Sequence, residues 1–139
     1  MIDMIPAKGE KLDITSSSDN IRLVERLIED VCEVFNINED SYGNILIAVT
    51  EAVNNAMYHG NKGNPEKHIH IAFESDENNI KFFVADEGEG FDYDNLPDPT
   101  DPLFIDKPHG RGVFLMKNLA DKVEFKNNGQ EVMLSFNLN

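Results

Sequence analysis

The chain has 139 residues, 40% of them hydrophobic and 27% charged, a composition that suits one folded domain over residues 1–139 and not a disordered chain. Its net charge of −14, from 26 acidic against 12 basic residues, repels polyanions. Nucleic acid and anionic membranes are therefore excluded as partners, and a protein with a basic face fits better. No run of about 20 apolar residues is present to span a membrane. Met1–Glu10 does not read as a signal peptide, and Cys32 is the single cysteine, so no internal disulfide forms and a cytoplasmic location is expected.

In chain order, Glu10–Thr15 reads as a short strand, and Ser16, Ser17 and Ser18 offer N-caps for a helix. Ile21, Val24, Leu27, Ile28, Val31, Val34 and Phe35 recur at helical spacing between charged residues, an amphipathic helix. Asn38 is the next N-cap, with Glu39 and Asp40 in the first turn where the helix dipole favours acids. This second helix runs to about His59 and is ended by Gly60, Asn61 and Gly63, with Pro65 blocking its resumption. His68–Phe73 and Ile80–Ala85 form a hairpin across a polar turn. Asp86–His109 is long, aperiodic and rich in Gly, Pro and Asp, as functional lids are. Gly112–Ala120 resumes a helical pattern, and Val123–Phe125 and Val132–Leu138 close a last hairpin around Asn127, Asn128 and Gly129. Without βαβ repetition, the order predicts an α+β fold, a mixed and mostly antiparallel sheet with helices on one face.

Three stretches carry chemistry-bearing residues. Glu51, Asn55 and His59 follow at i, i+4 and i+8 and share a helix face roughly opposite Val49 and Val53. A carboxylate there can act as a base, and an amide oxygen one turn on can hold a hard cation, although a solvated helix face has the same pattern. Asp86-Glu87-Gly88-Glu89-Gly90 follows a strand directly; its glycines let backbone approach a ligand, and the carboxylate can accept from an exocyclic amine. His109-Gly110-Arg111-Gly112 opens a helix, where free amides and a cation favour an anion. The chain has no P-loop signature and no Gly-rich turn opening a crossover helix. His68 and His70 share a strand face without a third ligand, so zinc is not expected.

Taken in order, an acid-and-amide helix, a D-x-G-x-G loop after a strand and a G-x-G at a helix start resemble the Bergerat ATP-binding fold. Within it the chain most resembles the small bacterial serine/threonine kinases that act as anti-sigma factors, over nearly its whole length. The matching stretches are Glu51–Gly60, Asp86–Phe91, Gly110–Met116 and Asp121–Phe125, together with the lid-like Pro97–Pro102. The resemblance implies a two-layer sandwich that binds ATP and Mg²⁺. It implies Glu51 as general base, Asn55 as Mg²⁺ ligand and Asp86 as the reader of the adenine amine. Gly88 and Gly90 would lie beside the nucleotide, and Gly110 and Gly112, with Arg111 between them, under the phosphates. It further implies phosphorylation of a serine or threonine on a STAS-type anti-anti-sigma partner, binding of a sigma factor, and a homodimer.

Two departures from the family pattern stand out. Relatives often carry a threonine near the adenine pocket on a late strand, where Met133 aligns here. Some carry an arginine before the first lid glycine, whereas here Lys107 and His109 precede Gly110 and Arg111 follows it. The alternative functions are a nucleotide-gated adaptor without phosphotransfer, which the retained Glu51 disfavours, and a detached histidine-kinase catalytic domain. The short length and the lack of a dimerisation helix pair disfavour the latter.

Overall fold

The computed structural model describes residues 10–76, 78–90 and 108–138. Five strands, β1 (Glu10–Thr15), β2 (His68–Ser75), β3 (Asn79–Ala85), β4 (Lys122–Lys126) and β5 (Glu131–Asn137), form one sheet in the order β1-β2-β3-β5-β4. Every pairing is antiparallel, the limiting case of the mostly antiparallel sheet expected. Three helices, α1 (Ile21–Val34), α2 (Glu39–Asn55) and α3 (Pro108–Leu119), cover one face.

The period-2 pattern of the strands decides which residues meet the helices. Ile69, Ile71 and Phe73 on β2, Ile80, Phe82 and Val84 on β3, and Val132, Leu134 and Phe136 on β5 are buried on that face. Phe73 and Phe82 pack with ring centroids 5.4 Å apart. Val24, Ile28, Val31 and Cys32 of α1 and Ile45, Val49 and Val53 of α2 close the same core. Burial pushes the Cys32 thiol up to about 11, so it stays protonated and behaves as a small apolar residue. On the outer face, cross-strand rows place Ala72, Phe83, Met133 and Ser135 at the centre. Lys11, Lys81, Lys122 and Lys126 alternate around them with Asp13, Glu74, Glu124 and Glu131.

The caps follow their chemistry. The Asn38 side chain accepts from the Ser41 N–H at 2.8 Å and starts α2. Among the three serines, Ser17 accepts from the Asp19 N–H at the head of a short 3₁₀ turn, while Ser16 is buried and takes another role described below. α2 does not stay α-helical to His59. At Ala56–Gly60 it widens into a π-helical turn, closed by the Asn61 N–H donating to the Ala56 carbonyl at 2.8 Å.

α3 begins at Pro108, not at Gly112, so Gly110 and Gly112 lie within its first turns. Proline suits a helix start because its missing N–H would be unpaired there in any case. Of the expected lid-like stretch, Asp86–His109, only Asp86–Gly90 and the last two positions fall among the described residues. Replacing Asn38 by alanine should cost about 1 kcal/mol, the usual worth of a side-chain N-cap. Urea denaturation of the variant would measure it as a lowered midpoint with an unchanged slope.

Candidate functional site

The end of α2, the loop after β3 and the start of β5 meet at one edge of the core. The cleft between them is lined by Asn55, His59, Asp86, Met116, Gln130 and Val132, among others. Its free space is about 20 Å³, room for one water. The Gln130 amide reaches across to the Gly88 carbonyl.

Backbone contact makes this cleft. A Cβ at Gly88 would lie 1.9 Å from the Gly60 carbonyl oxygen, so only glycine allows the loop to touch the helix end. Gly90 has φ +84°, and a Cβ there would lie 2.1 Å from the Asn128 carbonyl oxygen. Asp86 enters the cleft from the end of β3. Its backbone N–H donates to the Gln130 carbonyl at 2.9 Å, and its Oδ1 accepts from the Gly88 N–H at 2.8 Å. Burial pushes the Asp86 carboxyl above the ordinary aspartate value, against the Gly88 bond and the Lys67 charge, which pull it down. Burial also holds the His59 imidazole toward its neutral form.

One turn back along α2, Glu51 and Asn55 are half-buried and face α3. A Cβ built on Gly112 would lie 3.0 Å from Glu51 Oε1 and 3.1 Å from Asn55 Oδ1, so the two oxygens converge on one point of α3. Asn55 Nδ2 is buried and has no hydrogen-bond partner among the described residues, an amide that a ligand could satisfy. The carboxylate and amide oxygens that converge there are of the kind that suits a hard cation. Asn55 belongs to both places, lining the cleft and meeting Glu51 at Gly112.

The expected residues therefore come together in large part. Asn55, Asp86 and Gly90 line the cleft, Gly88 seals its edge, and Glu51 and Gly112 stand beside it. The backbone of Gly110 lies in the first turn of α3, and Arg111 is exposed on that turn. Met133 does not reach the cleft. It pairs with Phe83 on the outer face of the sheet, and the late-strand positions that do line the cleft are Gln130 and Val132. The register settles this: Val132, Leu134 and Phe136 pair with the core residues Val84, Phe82 and Ile80, so Met133, opposite Phe83, lies on the other face, where it is buried as well. The sequence reading passed over Gln130, and it took Asn61 only as a helix stop. The turn Asn127, Asn128, Gly129 was the available signal for Gln130, since it brings the residue just before the last strand beside the loop at Gly90.

The family model described as histidine kinase-like ATPase domain matches residues 14–136. The anti-sigma F factor of Bacillus cytotoxicus is 40% identical over 88 residues, which is 60% of this chain; the match spans 59% of that relative's length. The serine-protein kinase RsbW of Oceanobacillus iheyensis is 26% identical over 132 residues, 90% of this chain and 84% of its own. Among solved structures, the RsbU and RsbW domains of Rv1364c from Mycobacterium tuberculosis align with 95% of this chain and 32% of theirs, at a TM-score of 0.59 and 14% identity. That likeness establishes the shared fold.

Asp86 also makes a stability prediction. A carboxyl whose folded value is raised binds its proton more tightly folded than unfolded, so its ionisation destabilises the fold. This cost is absent below the ordinary aspartate value and grows as pH rises through the raised one. Asp86→Asn, which keeps an oxygen for the Gly88 N–H, should therefore be more stable than the parent at pH 7, and the difference should shrink toward pH 3. Urea melts of both proteins across that range measure it.

Proposed function

The chain belongs to the histidine kinase-like ATPase domain family, and from that premise we propose that it is an ATP-dependent serine/threonine protein kinase and anti-sigma factor. Its substrate is a STAS-type anti-anti-sigma protein, its other partner is a sigma factor, and it works in the cytoplasm as a homodimer. The observation that carries the reading is the shared position of Asn55. One amide borders both the cleft that holds Asp86 and the point where Glu51 converges on α3. Base recognition and phosphate chemistry need that adjacency. The names of the relatives, anti-sigma F factor and serine-protein kinase, support the same class of reaction.

In this reaction Asp86 accepts a hydrogen bond from the adenine amine, while Gly88 and Gly90 let the loop backbone lie against the base. The first amides of α3, at His109, Gly110 and Arg111, face the phosphates with the positive end of the helix dipole, and Arg111 adds charge. Asn55 is the residue that would hold Mg²⁺, which when bound supplies positive charge to the phosphate oxygens. Glu51 takes the proton from the partner's hydroxyl. That oxygen then bonds to the γ-phosphorus as the bond to the β–γ bridging oxygen breaks, leaving ADP.

The homodimer is supported by the outer face of the sheet. There four lysines alternate with four acids around Ala72, Phe83 and Met133, so two copies of a chain charged −14 can meet with little net repulsion.

Single-turnover phosphorylation of a purified STAS-type partner tests the chemistry. Glu51→Gln should bind ATP like the parent and transfer phosphate about 10²–10⁴-fold more slowly, the usual worth of a positioned base. Asn55→Ala should weaken Mg·ATP binding itself. A parent that binds ATP and transfers none would favour the adaptor. A Glu51→Gln variant at full rate would remove Glu51 from the mechanism.

A further inference from the structure

Asn61 is a polar residue that the proposed reaction does not use, yet it is only 1% exposed. Its Nδ2 donates to Ser16 Oγ at 2.7 Å and to the His68 carbonyl at 3.0 Å. Its Oδ1 accepts from the Glu87 N–H at 2.8 Å. These partners lie just after β1, at the start of β2 and in the loop after β3, so one amide ties three places to the end of α2. A buried amide is costly unless paired, and this one is paired on both its nitrogen and its oxygen.

The three bonds have a direction. Glu87 is the residue after Asp86, and its backbone is gripped by Asn61. Its side chain turns outward, where Oε1 accepts from the His68 N–H at 2.9 Å and Oε2 lies 3.6 Å from His70 Nε2. On its other side, the Asp86 N–H is held by the Gln130 carbonyl. The peptide that carries the Asp86 carboxylate is thus pinned between β5 and Asn61. Asn61 also follows Gly60, where a Cβ would lie 2.2 Å from Asp86 Oδ2. It therefore sets both the wall of the cleft and the group that faces it.

Resting on the nucleotide reading above, we propose that Asn61 is a positioning residue for base selectivity: through the Glu87 amide it holds the Asp86 carboxylate where it reads the 6-amino group of the purine. A residue that only fills space there would affect stability without touching selectivity. Inosine triphosphate lacks the 6-amino group and separates the two roles.

The test is equilibrium binding of ATP and inosine triphosphate to the whole chain, with thermal melts alongside. The parent should prefer ATP. Asn61→Ala should bind ATP at least tenfold more weakly with inosine triphosphate little changed, so the ratio moves toward one. Asn61→Ser, whose hydroxyl can pair with Ser16 but cannot span to Glu87, should behave the same way and serves if the alanine variant does not fold. Asn61→Asp keeps the acceptor for the Glu87 N–H and should keep the preference even where its melting temperature falls. Ser16→Ala should keep it too. A parent that binds no ATP would overturn the nucleotide reading and this role together. A parent that prefers ATP, with Asn61→Ala or Asn61→Ser retaining that preference, would overturn the role of Asn61 alone.

Discussion

At Gly60 and Gly88 two stretches of backbone meet with no room for a side chain on either. The end of α2 lies against the loop after β3 so closely that a Cβ on Gly88 would sit 1.9 Å from a carbonyl oxygen, and one on Gly60 would sit 2.2 Å from the Asp86 carboxylate. Real Cβ atoms do not occupy such positions, so the helix and the loop hold one fixed spacing. That spacing places Asp86 relative to α2, and hence relative to the residues one and two turns upstream. Asn55 and Glu51 are built on the same rigid helix, and the core residues Ile45, Val49 and Val53 hold that helix on the sheet. The relation between Asp86, the proposed reader of the base, and Glu51, the proposed catalytic carboxylate, is thereby carried by packed elements, which are stiffer than loops.

The cost of the arrangement is visible in its electrostatics. Asp86 is held in the cleft against its own preference for water, and Asn55 keeps a buried amide nitrogen with no partner among the described residues. A fold selected only for stability would pair or replace such groups. Two unfavourable groups facing one cleft from different elements are what a binding site looks like before its ligand is counted. The surroundings of Asp86 are by contrast well paired: Asn61 and Gln130 each accept from a backbone N–H of the loop, and the His68 N–H donates to the Glu87 carboxylate.

Much of this was legible in the residue pattern, for reasons that differ by element. The strand Glu10–Thr15 and the start of α2 at Asn38 were readable because alternation and N-capping are local. The grouping of Glu51 with Asn55 followed from helical periodicity. That their face meets α3 did not, because a polar stripe has the same pattern whether or not another element packs on it. The π-helical turn at Ala56–Gly60 was not legible either: widening a helix by one residue leaves no mark in composition. The start of α3 was placed four residues late, since two glycines among Pro108–Gly112 read as loop until the packing of Gly112 between Glu51 and Asn55 explains them. Met133 was set beside the adenine pocket by alignment, whereas the pleat of β5 gives that face to Val132. Asn61 illustrates the general limit. Its partners lie 45 and 26 residues away, and only the folded chain brings them together.

In the proposed function Asp86 faces the base of a bound nucleotide. Calorimetric titration of Mg·ATP into the parent and into folded Asp86→Asn tests this most directly. Loss of a charge-assisted hydrogen bond should weaken binding by about 1–3 kcal/mol, even as the variant becomes the more stable protein at neutral pH. Equal ATP affinity in the two proteins would contradict it.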